Sequence, residues 1–185
     1  MAEPAEGQAT YEDLMQVPPH LVAEILSGRL VTHPRPAPRH AVAGSSLGGE
    51  LVGPFQKGRG GPGGWWILDG PELHLDADVL VPDIAGWRRE RMPTMPETAW
   101  FGIAPDWVCE ILSPSTARED RVLKMPIYAR AGVSHLWLVD PDLRTLEVYS
   151  LESGRWVLLE SHRDDARVAP PPFGAVSINL GDLWA

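Results

Sequence analysis

Short apolar runs alternate with turn-forming residues along the chain, and together they divide it into elements. Thr10-Tyr11-Glu12-Asp13 has the form of a capping box, with Thr10 as cap and Asp13 at the third helical position, so a short helix is expected to about Gln16. Residues 21–26 and 29–32 are apolar runs around Ser27-Gly28, the pattern of a β-hairpin with a two-residue turn. Pro34, Pro36 and Pro38 end the hairpin. From about Arg39 to Leu51 the apolar residues Ala43, Leu47 and Leu51 fall on one helical stripe, although Gly44, Gly48 and Gly49 weaken the helix. Five glycines and a proline within residues 58–64 make a flexible loop.

Strand patterns then dominate. Residues 65–68 restart a strand, 73–76 alternate, and 79–87 read as one longer strand in which Pro82 marks an edge or a bulge. Residues 88–99 are a polar, proline-containing surface loop. Residues 106–112 are nearly all apolar, as in a central strand buried on both faces. Ser113-Pro114-Ser115 ends that strand and caps a helix over about 116–131, which Gly132 terminates. A further apolar strand follows at 133–139, and turns at Asp140-Pro141-Asp142 and Ser153-Gly154 separate two more. Strand, helix and strand within 106–139 form a βαβ unit, so part of the sheet is expected to be parallel. The fold class is α/β with α+β character: a mixed central β-sheet flanked by helices, an N-terminal hairpin and C-terminal meander strands. Residues 1–9 are expected to be a flexible tail and 10–185 a single domain.

Composition changes this picture little. The 185 residues, 44% hydrophobic and 22% charged, have ordinary globular usage. No apolar run nears the roughly 20 residues that span a bilayer. The acidic N-terminus does not read as a signal peptide. Cys109 is the only cysteine and lies in an apolar run, where a buried, inert thiol is expected. A reducing cytoplasm is the expected location. The net charge of −9 counts against a broad nucleic-acid surface, because phosphate neutralisation supplies much of such affinity. The densest basic cluster is Arg88-Arg89-Glu90-Arg91, with Arg35 and Arg39 flanking a proline-rich stretch.

Two carboxylates disturb the strands. Glu110 interrupts a run with no cheap place for a charge, and Asp83 follows Val79-Leu80-Val81-Pro82. Acidic groups brought side by side repel unless a cation lies between them. Hard oxygen ligands suit Mg²⁺ or Mn²⁺, which also accept water and phosphate oxygens. The six histidines show no ligand spacing, and His135 reads as a satisfied core residue. Residues 58–64 lack the Lys-Ser/Thr of a phosphate loop.

Residues 81–84 (Val-Pro-Asp-Ile), 104–116 (Ala-Pro-Asp-Trp-Val-Cys-Glu-Ile-Leu-Ser-Pro-Ser-Thr), 120–124, 128–133 and 137–141 closely resemble the bacterial Uma-type restriction-endonuclease family of the PD-(D/E)XK nuclease superfamily. Residues 24–31 and 38–40 also resemble that family's beginning. The resemblance covers about residues 10–160 and is most specific over 104–141. It implies a restriction-endonuclease-like core and Mg²⁺-dependent hydrolysis of DNA phosphodiesters. Asp83 and Glu110 match the motif's acidic residues as metal ligands. The motif's lysine would stand at position 112, which is leucine here; Lys124 on the helix resembles its migrated replacement, orienting the attacking water or stabilising phosphate. Glu24 resembles an early glutamate that is a further metal ligand or supports one, and His40 a phosphate contact. Arg88 and Arg89 are the nearest basic group in sequence to Asp83 and are expected to bind substrate.

Each role has a plainer counterpart. Lys124 stands four residues after Asp120, an ordinary helical ion pair. Pro126 cannot bond back to residue 122, which either tilts Lys124 toward the sheet or simply kinks the helix. Alternation in the hairpin strand could leave Glu24 exposed. The eight tryptophans suit a core or an oligomer interface, and a homodimer is expected. The competing functions are an endonuclease, a catalytically inactive dimeric binding or assembly module on the same fold, and a small-molecule phosphodiesterase.

Overall fold

The structure, a computed structural model, describes residues 8–184 of the chain. Residues 1–7 of the expected tail lie outside the described residues. Ala9 is not loose: its N–H donates to the Gly28 carbonyl at 2.9 Å, and it packs against Leu14, Ile25 and Val79. Helix α1 (Tyr11–Met15) starts on the capping box read from the sequence, with Thr10 and Asp13 exchanging backbone and side-chain bonds.

Strands β1 (Leu21–Leu26) and β2 (Arg29–Pro34) form the hairpin. Its turn needs positive φ at both central residues, 53° at Ser27 and 79° at Gly28, as a two-residue turn that follows the strand twist does. Helix α2 (Pro38–Leu51) opens on a proline, where a missing N–H costs nothing, and continues into a π-helical turn, Val52–Gln56. Its buried stripe includes Ala43, Leu47 and Leu51. Strands β3 (Trp65–Asp69), β4 (Leu73–Leu75), β5 (Asp78–Leu80), β6 (Ile84–Arg88), β7 (Trp107–Ile111), β8 (His135–Asp140), β9 (Thr145–Glu152) and β10 (Arg155–Arg163) follow. Between β7 and β8 run α3 (Ala117–Glu119), a π-helical turn at Asp120–Lys124 and α4 (Met125–Arg130). The chain closes with the small pair β11 (Arg167–Val168) and β12 (Ile178–Asn179) and a 3₁₀ turn, Leu180–Leu183.

Two sheets organise these strands. A six-stranded sheet runs β10-β9-β8-β7-β6-β3, and a four-stranded sheet runs β2-β1-β5-β4. Only β7 and β8 are parallel among the described ladders, which is the βαβ unit expected from residues 106–139. One apolar cluster lies between the six-stranded sheet and α2 and includes Trp107, Trp137 and Phe173; a second lies under α4 and includes Trp87, Leu112 and Tyr128. Gly86 lets the first cluster close: a Cβ there would meet Ile67, Trp107 and Trp65 at 3.2–3.3 Å. No tryptophan is exposed; Trp65, Trp87, Trp107 and Trp137 are buried and the other four half-buried. They pack mainly within this chain.

The single long strand expected over 79–87 is two strands in different sheets. The chain leaves β5, crosses through Val81-Pro82-Asp83 and enters β6. Side chains complete the backbone bonding at this crossing. Glu24 Oε1 accepts the Val81 N–H at 2.7 Å, Pro82 has no N–H, and Asp83 Oδ2 accepts the Ile111 N–H at 2.7 Å. Periodicity cannot reveal that break, because an apolar run ending in Val-Pro-Asp reads the same in one sheet or two.

Candidate metal and phosphate site

The crossing between the sheets brings the acidic residues together. Glu24 is on β1 and fully buried, not exposed as hairpin alternation would allow. Glu110 is on β7 and 2% exposed. Lys124 reaches both from the helical segment: its Nζ is 2.9 Å from Glu24 Oε1, 3.4 Å from Glu110 Oε1 and 3.5 Å from Asp120 Oδ1. The side chain is buried because of Pro126. That proline cannot donate to Val122, and the helix widens by one residue just before it, so that the Met125 N–H bonds back to Asp120. Of the two outcomes open to this proline, the inward turn of Lys124 is the one found. Asp120, Lys124 and Tyr128 then share one face, and the Tyr128 hydroxyl donates to Glu110 Oε1 at 2.6 Å.

Asp83 forms the second part of the site. It is held by the Ile111 N–H and by His40, whose Nε2 lies 3.2 Å from Oδ1. His40 sits in the first turn of α2, so the helix start is pinned to the sheet crossing. Position 112, where the superfamily motif has its lysine, points into the apolar cluster under α4 and is 4% exposed. A lysine there would lose its hydration in that apolar cluster, whereas Lys124 reaches Glu110 from the helical segment at 3.4 Å.

Glu24, His40, Asp83, Glu110, Asp120 and Lys124 line one cavity of about 270 Å³. A second hollow of about 430 Å³ shares His40, Asp83 and Val81 with it, so a continuous cleft passes over Asp83.

Charge in this enclosure is unevenly distributed. Burial pushes Glu110 well above the usual carboxylate range; Lys124 opposes this, and the negative charges of Asp120, Asp83 and Glu24 add to it. Asp120 is raised for the same first reason, again against Lys124. Burial also acts on Glu24, but Lys124, His33 and the Val81 N–H outweigh it and hold that carboxyl below its ordinary value. Burial works against a charge on Lys124, and Glu110, Glu24 and Asp120 overcome it, holding its pKa well above that of a free lysine. Desolvation lowers His40, yet its bond to Asp83 raises it on balance. Glu24 Oε2 and His33 Nε2 are buried without a hydrogen-bond partner, 3.4 Å apart. They face each other as a buried pair, and that contact is part of what holds Glu24 charged.

The expected roles can now be placed. Asp83, Glu110, Lys124, Glu24 and His40 converge on the cavity. Arg88 and Arg89 do not: they stand at the far end of β6, where Arg88 lies 4.7 Å over the Trp65 ring and Arg89 3.9 Å over Trp66. Arg89 also donates to the carbonyls of Trp65 and Gln56. These arginines lie along β3 at the far end of β6, since Arg88 is the fifth residue beyond Asp83 and the extended strand carries it away from the cavity. Glu24, expected as a further metal ligand or as support for one, gives Oε1 to Lys124 and the Val81 N–H. Among the described residues, no three His, Cys, Asp or Glu side chains stand together as a group that could hold a metal ion. The donors facing the cavity are nonetheless mainly hard oxygens. Two carboxylates, with water and phosphate oxygens completing the sphere, is how Mg²⁺ is commonly held.

Asp120, Tyr128 and His33 were missed as site residues. The Asp120-Lys124-Tyr128 spacing of four was a legible signal, since it stacks all three on one helical face. Nothing in the local pattern marked His33.

No curated protein matches the chain. Among solved structures, one described as a putative nuclease belonging to DUF820 from Anabaena variabilis ATCC 29413 superposes with a TM-score of 0.75, covering 95% of this chain and 97% of that one at 24% identity. The likeness carries the fold, a restriction-endonuclease-like mixed sheet flanked by helices. No helix among the described residues is long and apolar enough to cross a membrane. The Uma2 family, described as "Putative restriction endonuclease", matches residues 8–181, and the chain belongs to that family.

Proposed function

We propose that the protein is a Mg²⁺- or Mn²⁺-dependent endonuclease that hydrolyses phosphodiester bonds in DNA. The observation that carries this reading is one buried ammonium, Lys124, against Glu24, Glu110 and Asp120, in a cavity that also holds Asp83. Asp83 and Glu110 would be the protein ligands of the cation, leaving positions for water and for phosphate oxygens. When bound, the cation supplies a water nucleophile near neutral pH and offsets charge developing on phosphorus.

The chain's own residues do the remaining work in this reading. Lys124, 3.4 Å from Glu110 in the same cavity, donates to a phosphate oxygen or to the attacking water. Glu24 is its positioning residue: the 2.9 Å contact keeps the ammonium charged and aimed. The Tyr128 hydroxyl fixes the Glu110 rotamer, and His40 with the Ile111 N–H fixes Asp83. Burial raises the Glu110 carboxyl, so holding a cation there would displace a proton and would strengthen as pH rises.

The test is cleavage of plasmid and of single-stranded DNA with Mn²⁺, comparing wild type with Glu110→Ala. Activity in wild type alone supports the reading, and equal background in both ends it. Turnover of a small phosphodiester without any DNA cleavage would move the substrate to a small molecule.

A further inference from the structure

A phosphodiester that reaches Asp83 and Glu110 enters a cleft rich in carboxylates and needs a cation to meet it. Lys124 can donate a bond there, but three carboxylates already balance its charge, so it adds no net positive field. Several other arginines of the chain are committed to carboxylates as well. Arg121 forms a two-pronged pair with Glu147 at 2.9 and 3.2 Å, and Arg39 faces Asp142 at 3.3 Å. Arg130 lies 2.6 Å from Asp78, and Arg91 lies 2.8 Å from Asp106.

Arg35 differs. It lines both hollows of the cleft, and among the described residues no carboxylate pairs with it. Its one hydrogen bond is from Nη2 to the Pro19 carbonyl at 2.9 Å, which leaves the rest of the guanidinium fork free. Its place is stiff, because Pro34 and Pro36 on either side and Pro38 beyond fix the backbone of its loop. The same cavity is lined by Ser113, Ser115 and Thr116. Their hydroxyls bond to one another, with Ser113 Oγ 3.0 Å from Ser115 Oγ and 3.1 Å from Thr116 Oγ1. Hydroxyls rotate readily and can turn from each other to an incoming oxyanion.

We propose that Arg35, with the hydroxyls of Ser113, Ser115 and Thr116, forms a subsite for one phosphate of a single-stranded nucleic acid, next to the bond held at Asp83 and Glu110. The inference rests on the proposed nuclease reading and adds the substrate's form. Duplex DNA presents one charge per roughly 1.7 Å and is bound through many phosphates at once. A chain of net charge −9 with one free guanidinium in its cleft has no such footprint. A flexible strand can present a single phosphate to that fork while its neighbours stay in water.

Binding of a fluorescein-labelled single-stranded oligonucleotide, measured by anisotropy in Mn²⁺ at several salt concentrations with Glu110→Gln as the background to suppress cleavage, tests this. Adding Arg35→Gln should weaken binding about tenfold and flatten the log–log salt slope by about 0.7, the contribution of one single-strand phosphate. Arg35→Lys should restore the slope and part of the affinity, which a merely structural loss at the Pro19 contact would not allow. Arg39→Gln should change neither by as much. An unchanged slope in Arg35→Gln overturns the subsite, as does a duplex of equal length that binds as tightly through a several-fold steeper slope. If Arg35 governs binding but wild type cleaves nothing, the subsite stands and the nuclease reading falls.

Discussion

Replacing Lys124 by methionine removes the only ammonium from three carboxylates and leaves a side chain of similar length. At an effective dielectric of about 20, the 2.9 Å contact with Glu24 alone represents roughly 6 kcal/mol of attraction, most of it offset by desolvation of the two ions. Removing one partner of a buried pair leaves that desolvation uncompensated, and the net loss is about 3–5 kcal/mol. For a chain of this size the melting temperature should fall by roughly 6–20 °C. The sign with pH is fixed by the direction of each shift. Lys124 is raised in the folded state, so its contribution is complete below the ordinary lysine value of about 10.4 and is lost only as pH climbs through the raised value. In Lys124→Met the carboxylates lose their cation and their folded pKa values rise, so the variant loses stability from pH 5 to pH 7. Thermal melts by circular dichroism, in a chelator at both pH values, with Arg121→Met as an exposed-pair control worth under about 1 kcal/mol, measure all of this. A loss no larger than the control's, or one equal at both pH values, would refute the reasoning.

Other perturbations follow from the same contacts. Glu110→Gln should flatten the decline in stability of the metal-free protein as pH rises above the ordinary glutamate value of about 4.3, because a raised folded pKa means the folded state holds the extra proton there; melts across pH 4–8 show it. Tyr128→Phe should cost about 1–2 kcal/mol in urea unfolding, since Glu110 loses a buried donor, and should lower kcat more than KM through a less fixed Glu110. Arg89→Ala should destabilise the fold by about 1–2 kcal/mol, through two carbonyl bonds and the Trp66 contact, while leaving oligonucleotide affinity unchanged. Gly86→Val should cost about 1–3 kcal/mol or more, because Trp65 and Trp107 must move to admit the new side chain.

Local chemistry determined much of this protein. The Thr10–Asp13 capping box, the Ser27-Gly28 turn, the α2 stripe and the βαβ unit around Glu110 depend on near-neighbour bonding and on period, so they are legible in order along the chain. The misfit of Asp83 and Glu110 was legible too, because a carboxylate in an apolar run needs a partner wherever it ends up. What completes their surroundings depends on which elements meet. The sheet crossing at Val81-Pro82-Asp83 is decided when β1 pairs with β5, which buries Glu24 and sends its carboxylate to the Val81 N–H and Lys124. Arg88 lies five residues beyond Asp83 along the chain, close in sequence, yet strand extension takes it to the opposite end of β6. Arg35, 48 residues before Asp83, is brought to the cleft by the hairpin and the proline loop. Sequence could say that the carboxylates need partners; only the packing of two sheets and one widened helix chose which ones.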